Sequence, residues 1–371
     1  AVPRRGRMTH PVSRYLGIDE LHAPTFSADG DRVAFLADTT GTPQVWVADG
    51  AGRWPRRLTA FDERVSAVDW SPTRPEFVFA MDEGSDEYDQ LFLYDATDGG
   101  IAPLTALPDA KHEWGEWGPG GDRIAFTSTR RTGGSFDAYV QGREERGEDA
   151  RLVHEGTERL AVEAWTPDGE SIVVREDHSS YDHDLHLVDV ATGESRPLTD
   201  DGGEAQYGHV TPVDGDAAYL TTNRGTDTAY LARLSLADGS VEPVVEGGDW
   251  NVEWAAVDRE RGAVVLGRNV DGYTDVRAGH LDGTEFEAAP APDVGDAVVD
   301  AVDLAPDGER YALSLSRSDE PYGVYVGEVA TGELTRWSDG GTLGIPTGSF
   351  RAPETIRDET FDGRRSRPYW T

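Results

Sequence analysis

The chain repeats one short pattern seven times, and this repeat constrains the fold more than any other feature of the sequence. In the first copy, residues 27–49 read SADGDRVAFLADTTGTPQVWVAD. An Asp/Gly turn leads into the apolar run VAFLA at 33–37, and a second turn leads into the alternating run QVWVAD at 44–49. Apolar, β-branched and aromatic runs bounded by turn residues are typical of strands. The pattern therefore predicts a β-hairpin.

The same turn precedes an apolar strand at regular intervals along the chain. The aligned turns are SADG (27–30), SPTR (71–74), GPGG (118–121), TPDG (166–169), TPVDG (211–215), DRERG (258–262) and APDG (305–308). At the proline position stand Ala28, Pro72, Pro119, Pro167, Pro212, Arg259 and Pro306, spaced by 44, 47, 48, 45, 47 and 47 residues. A repeat of about 45 residues with four strands is the size of a β-propeller blade, which buries both faces only when stacked in a ring. We therefore predict an all-β fold, a seven-bladed β-propeller of four-stranded antiparallel blades.

These intervals also predict the domain organisation. Residues 1–23 form an N-terminal extension with a short helix, 24–341 form the propeller, and 342–371 form a linker and the start of a second domain. The blades are expected at about 24–62, 65–109, 112–156, 160–203, 207–247, 250–293 and 298–341. In the extension, Val12, Tyr15, Leu16 and Leu21 lie at helical spacing, which predicts a short amphipathic helix or turn packed against the body.

Large apolar residues stand directly before the turns. They are Phe26, Trp70, Trp117 and Trp165 in the first four copies, and Val210, Val257 and Leu304 in the last three. Because repeat-equivalent apolar residues suit the interface between stacked units, we predict that they pack between blades and do not stack on a ligand.

Charge and composition exclude several classes of partner. The chain has 34 basic and 70 acidic residues, a net charge of −36, and no cysteine, which excludes disulfides, thiolate metal sites and cysteine catalysis. Nucleic acid is excluded as a partner because phosphate binding needs a basic surface. No apolar run approaches the ~20 residues of a membrane span, and no apolar region follows the Arg4–Arg5 pair as it would in an export signal, so we expect a cytoplasmic protein with no membrane partner.

The acidic residues are spread along the whole chain, and Lys111 is its single lysine. This pattern resembles the solvated surfaces of proteins from extreme halophiles, where salt screens the self-repulsion. An ordinary acidic mesophile protein is the alternative interpretation.

Several segments carry a family resemblance. YLGIDEL (15–21), SADGDRVAF (27–35), DTTGTPQVW (38–46) and RRLT (56–59) resemble the N-terminal propeller of the prolyl oligopeptidase family of serine peptidases, in particular its acylaminoacyl-peptidase-like and dipeptidyl-peptidase-like branches. PETIRDETFDGRRSRPYW (353–370) resembles the crossover of that family into its catalytic α/β-hydrolase domain. The resemblance implies a ring that caps an active site and restricts access to short peptides. The implied partners are the chain's own α/β-hydrolase domain and, through it, short peptides.

The catalytic machinery of that family cannot be placed on these residues. The family needs a nucleophilic serine on a G-x-S-x-G elbow, followed by an Asp and a His. No such motif occurs, and GGSFD (133–137) lacks the second glycine. After FDGR, the segment RSRPYWT (365–371) departs from the family pattern, so we expect a truncated or frameshifted product, not catalytic by itself, with a mobile or loosely packed tail from Ile356 onward.

Two charged segments contain residue types that occur at binding sites. DHSSYDHDLH contains the ligand-type residues Asp177, His178, Asp182, His183, Asp184 and His186. It lacks the spacing of a tetrahedral or calcium site, so we interpret it as a solvated hairpin turn. GREERGED (142–149) could mimic the paired glutamates with which dipeptidyl peptidases hold a substrate amine, but a Gly-bounded charged loop favours an exposed surface. No catalytic, cofactor-binding or metal residue is therefore predicted.

Three functions remain open from the sequence. The favoured one is the substrate-gating propeller of a serine peptidase acting on short peptides. The second is a stand-alone TolB-like propeller that binds a protein or peptide. The third, an enzyme within the ring such as a phosphatase-like or cyclase-like propeller, would need converging ligands that the sequence does not display.

Overall fold

In the computed structural model of the chain, the described residues are 10–199, 203–355 and the pairs 358–359, 365–366 and 369–370. They form seven four-stranded antiparallel sheets whose strands follow in chain order within each sheet. The predicted all-β, seven-bladed propeller is confirmed. No helix in these residues is long and apolar enough to span a membrane.

The strand bounds follow the repeat. Blades 1 to 4 contain β1 Leu21–Phe26, β2 Val33–Ala37, β3 Gln44–Ala48, β4 Arg56–Arg57; β5 Val65–Trp70, β6 Glu76–Met81, β7 Gln90–Asp95, β8 Ile101–Pro103; β9 His112–Trp117, β10 Arg123–Ser128, β11 Asp137–Gly142, β12 Arg151–His154; and β13 Arg159–Trp165, β14 Ser171–Ser179, β15 Asp182–Asp189, β16 Ser195–Pro197. Blades 5 to 7 contain β17 Tyr207–Asp214, β18 Ala217–Thr222, β19 Tyr230–Ser235, β20 Val241–Val245; β21 Val252–Val257, β22 Ala263–Val270, β23 Tyr273–Asp282, β24 Glu285–Ala288; and β25 Ala297–Leu304, β26 Arg310–Arg317, β27 Glu320–Glu328, β28 Leu334–Asp339.

Four two-residue strands follow the ring. β29 Glu354–Thr355 pairs with β32 Tyr369–Trp370, and β30 Asp358–Glu359 pairs with β31 Arg365–Ser366, both antiparallel. The expectation of a mobile tail from Ile356 onward falls mostly on residues outside the described part.

Helix is confined to one α-helical turn, α1 Val12–Tyr15, and to 3₁₀ turns at Gly147–Asp149 and Thr347–Ser349 in the described part of the chain. The predicted short helix is present, but its predicted packing against the body is wrong for Val12 and Leu16, which are exposed. A helix of four residues gains too little from its few hydrogen bonds to present a stable apolar face. Leu21 lies instead in β1, so the propeller begins before residue 24, its predicted start.

The turn after each first strand uses the chemistry that its sequence indicates. In blade 4, Thr166 Oγ1 donates to Asp168 Oδ1 (2.6 Å), and the Glu170 N–H donates to the same carboxylate oxygen (2.9 Å). Gly169 completes the turn at a φ of +68°, a conformation that favours glycine. Blade 5 departs from the alignment, since Pro212 pairs with Ala218 inside a strand and the turn follows later.

Each neighbouring pair of blades shares one cluster of buried apolar side chains, and these clusters are the core of the molecule. Phe26, Trp70, Trp117 and Trp165 are all buried in such clusters. Trp165, for example, joins residues of blades 3 and 4. The predicted packing role of these aromatic residues is confirmed.

Blade 7 closes onto blade 1 without exchanging a strand. Phe26 packs in the same cluster as Ala305 and Ala312 of blade 7. Asp19 N–H donates to the Gly341 carbonyl (2.9 Å), and Gly341 N–H donates to Asp19 Oδ2 (2.9 Å). The chain therefore enters and leaves the ring at one point of the same face.

Candidate functional site

The first strands of neighbouring blades, such as β1 and β25 or β9 and β13, contact each other and surround the axis of the ring. One position on these strands, directly before the large interblade residue, is equivalent in all blades. We call this set the axial ring; it comprises Thr25, Asp69, Glu116, Ala164, His209, Ala256 and Asp303. Its carboxylates make the central channel the candidate functional site.

Three side chains of the axial ring each tie one blade to the next. Asp303 Oδ2 accepts the Phe26 N–H across the closure of the ring (2.7 Å), and Glu116 Oε2 accepts the Trp165 N–H of blade 4 (2.7 Å). The Trp70 N–H donates to Thr25 Oγ1 at 3.4 Å. In these three cases the ring side chain satisfies the backbone donor of the next interblade aromatic, so the ring has a structural role as well as lining the channel.

Asp69 is the most perturbed carboxyl group of the ring. Thr25 Oγ1 and Trp114 Nε1 donate to it at 3.3 and 3.2 Å. Removal from bulk water, and secondarily the charges of Asp303 and Glu116, raise the pKa of Asp69 to about 8. Asp69 is therefore protonated at neutral pH and can hold a proton in the channel.

The other titratable ring members are also shifted by their position. Removal from bulk water raises the pKa of Asp303 to about 6 and also raises that of Glu116, which the charge of Arg259 opposes. The same removal, followed by the charge of Arg175, lowers the pKa of His209. The ring thus carries less charge at neutral pH than its residue types suggest.

A network of ion pairs with alternating charges joins blades 3 and 4. Arg159 Nη2 lies 2.9 Å from Glu113 Oε2, and Arg159 Nε lies 3.8 Å from Asp177 Oδ2. Arg175 Nε donates to Asp177 Oδ1 at 2.6 Å and also pairs with Glu163. These opposite charges compensate one another and join β9 of blade 3 to β13 and β14 of blade 4.

Arg259 reaches the ring from the turn after β21. Its guanidinium pairs with Glu116 of blade 3 and donates to the Trp165 carbonyl of blade 4 (3.2 Å). The side chain of a blade 6 residue therefore contacts two blades that do not adjoin its own.

The candidate metal-binding segment 177–186 lies largely in β14 and β15, and only its centre forms the turn. His178 Nε2 lies 2.9 Å from Asp184 Oδ2 and its Nδ1 3.3 Å from Glu158 Oε2; the hydrogen bond to Asp184 raises the pKa of His178. His183 Nε2 lies 3.8 Å from Asp177 Oδ1. In the part of the chain that the structure describes, no three His, Asp or Glu residues are grouped to hold a metal ion.

In the segment 142–149, Glu144 and Glu145 are exposed. Arg143 points inward instead, and its Nε donates to the buried Glu76 of blade 2 (2.6 Å). The two glutamates thus lie on the surface, and Arg143 makes the contact between blades 3 and 2.

Sequence reasoning missed both the axial ring and Arg259. The signal was present in the aligned repeats, because the ring is the residue before each large interblade residue and Arg259 stands where the other turns carry proline or alanine. What the alignment could not supply was the contact across the channel, which depends on closure of the ring.

The sequence model described as the TolB beta propeller domain (PD40) matches residues 17–257. The chain belongs to the TolB β-propeller family. The search of curated proteins found no match for this TolB β-propeller.

Solved prolyl peptidases share the fold of this TolB β-propeller. A structure from an analysis of two prolyl endopeptidases and the role of inter-domain dynamics superposes with a TM-score of 0.74 at 15% identity. Prolyl oligopeptidase B from Galerina marginata, bound to a 35mer hydrolysis and macrocyclization substrate, superposes with a TM-score of 0.75 at 12% identity. Each match covers 95% of this chain and 54% of the other, so the TolB β-propeller spans about half the length of these enzymes.

Proposed function

We propose that this TolB β-propeller is the substrate-gating domain of a prolyl oligopeptidase-like serine peptidase, of acylaminoacyl- or dipeptidyl-peptidase type, that acts on short peptides. The observation that carries the proposal is the fold match, which covers nearly the whole chain, 95%, but only 54% of each peptidase. The remaining part of such an enzyme would hold the chemistry, and its α/β-hydrolase domain would be the partner of this ring.

The geometry of the ring supports a gating role. Asp19 and Gly341 join where the chain enters and leaves the ring, so a domain that follows the propeller starts at that face. A channel that opens at that face would admit an extended peptide and exclude a folded domain. Selection would then act on the size of the substrate.

The ring itself would not supply the acyl-transfer step. Acyl transfer in this class needs a nucleophile, a base and an oxyanion hole held together, and the G-x-S-x-G elbow also provides one oxyanion donor. The 371 residues contain no such elbow. We therefore expect no labelling by a fluorophosphonate probe and no turnover of acylated or dipeptidyl chromogenic substrates by the purified chain.

The gating role is tested with the polypeptide encoded downstream of residue 371. If that sequence carries a G-x-S-x-G motif, the hydrolase is produced with and without the propeller. Its cleavage of a short quenched peptide is then compared with its cleavage of a long unfolded protein. With the ring present we expect the short peptide to be preferred by about tenfold or more, and without it we expect the preference to disappear. A downstream sequence without the motif, or equal preference in both forms, would contradict the proposal.

A further inference from the structure

We propose that Arg259 closes the central channel at the mouth opposite the point where the chain enters and leaves, so that peptide can reach the channel from one side only. The biological meaning of this closure rests on the gating function proposed above. Its geometry stands independently of that function.

The position of Arg259 places it at the far mouth. The chain enters the ring at Asp19, and β1 runs from there along the axis. The turn that follows a first strand therefore lies at the opposite end. Arg259 belongs to such a turn, between β21 and β22.

The contacts of Arg259 span the opening. Blade 5 separates blade 6 from blade 4, yet the Arg259 guanidinium donates to the Trp165 carbonyl at 3.2 Å and pairs with Glu116 beyond it. Glu116 is itself fixed, because its other carboxylate oxygen accepts the Trp165 N–H at 2.7 Å. A planar guanidinium has several N–H donors, so it can bind both groups at once and span the opening.

Other turn and strand-end arginines act between adjacent blades. Arg261, in the same turn, donates to the Pro306 carbonyl of blade 7 at 3.1 Å, and Arg123 of blade 3 donates to the Gly169 carbonyl of blade 4 at 2.7 Å. The turn positions equivalent to Arg259 carry residues that have no side-chain donor; they are Ala28, Pro72, Pro119, Pro167 and Pro306. Arg259 is therefore a departure from the repeat that is not needed to stack neighbouring blades.

Closure at this point leaves the channel open at one end only. A peptide that enters from the face of chain entry and exit meets the axial ring and then the Arg259–Glu116 pair. It can leave only by the mouth through which it came, so product and substrate share one opening.

The test uses a single reporter thiol. The chain has no cysteine, and Ala256 of the axial ring is half-buried three positions before Arg259, so Ala256→Cys places one thiol just inside the far mouth. A six-residue first strand spans about 20 Å. A maleimide on a linker of about 10 Å, fixed to a protein too large to enter the ring, therefore reaches this thiol from the far mouth only.

With the full chain carrying Ala256→Cys, we expect slow labelling by the tethered maleimide. Adding Arg259→Ala should accelerate it about tenfold or more, since loss of a steric and ionic closure exposes the thiol. Glu116→Gln, which keeps the shape but removes the ion pair, should give an intermediate rate.

Arg261→Ala is the matched control, because it removes an arginine from the same turn without removing a contact across the channel. It should leave the tethered rate unchanged. A small untethered maleimide should label all variants at one rate, which shows that the thiol is intact and the ring is folded.

An unchanged tethered rate in the folded Arg259→Ala variant would overturn the proposal. If that variant does not fold, Glu116→Gln decides: a faster rate supports the closure and an unchanged rate overturns it. No peptidase activity is measured, so closure of the far mouth can hold even where the gating function fails.

Discussion

Carboxyl groups at the centre of a ring are costly to ionise because they are removed from water and face one another. Asp69 illustrates this, since its pKa is raised from 3.8 to about 8. Between these pH values the folded state binds a proton that the unfolded state releases. The free energy of unfolding therefore falls as pH rises from about 4 to about 8. Asp303, with a pKa of about 6, adds a contribution of the same sign over the lower part of that range.

The variant Asp69→Asn should remove most of this dependence, because an amide can accept from Trp114 without ever becoming charged. At pH 9 we expect it to be more stable than the parent by on the order of 2 kcal/mol, and near pH 4 to show no such gain. Unfolding curves at several pH values measure this. Parallel pH profiles for parent and variant would contradict the assignment.

The ion pair of Glu76 and Arg143 joins blades 2 and 3. Glu76 is only 2% exposed, and hydrogen bonding to Glu76 is the main cause that raises the pKa of Arg143. Replacing Glu76 by Gln leaves the largely buried Arg143 guanidinium with only the exposed carboxylate of Glu144 as a counter-charge. We expect a loss of about 3–5 kcal/mol in the free energy of unfolding.

Glu144 supplies the matched control for that variant. It pairs with the same Arg143, but its side chain is 80% exposed. Glu144→Gln should change the free energy of unfolding by less than about 1 kcal/mol. Denaturant unfolding measures both variants. Equal losses in the free energy of unfolding would show that burial does not determine how much an ion pair with Arg143 stabilises the protein.

At the scale of the element, each blade is a meander stabilised chiefly by its neighbours. A recurring threonine caps the third strand: Thr59 accepts from Val45 N–H (2.8 Å), and Thr105 accepts from Leu91 N–H (3.0 Å). The apolar residue that ends the first strand then fills the interface to the adjoining blade. A single four-stranded sheet of this kind gains its stability from stacking.

A substitution at Trp165 measures how much one interface between blades contributes to the free energy of unfolding. It is 0% exposed, the Arg123 guanidinium lies 4.9 Å from the centroid of its ring, and its Nε1 donates to the Glu116 carbonyl. Trp165→Ala should cost about 3–5 kcal/mol, from lost burial and from the cavity left behind. Trp54, which is 86% exposed, is the control, and Trp54→Ala should change stability by less than about 0.5 kcal/mol. Denaturant unfolding measures both variants. Equal losses in the free energy of unfolding would refute the interface role of Trp165.

At the scale of the whole molecule, a net charge of −36 works against compactness. Lowering salt from molar to about 0.1 M lengthens the Debye screening distance from about 3 to about 10 Å, which lets surface carboxylates repel one another. The thermal midpoint should therefore fall as KCl is removed. Melts over a KCl series measure this effect, and an unchanged or higher midpoint at low salt would reject a halophilic surface.

The sequence by itself determined the features that repeat. The spacing of the turns predicted seven four-stranded blades, and the aligned aromatic residues predicted the interfaces, because burial of a periodic apolar pattern needs only local order and stacking. The burial of α1 was overestimated, because helical spacing over a few residues does not show whether another part of the chain covers them.

Only the tertiary structure decided the properties of the channel. The raised pKa of Asp69 and the Arg259–Glu116 pair depend on groups from different blades, the latter 143 residues apart. No local pattern encodes such a contact. It exists because closure of the ring brings seven equivalent positions to one axis, where removal from water and mutual repulsion set their chemistry.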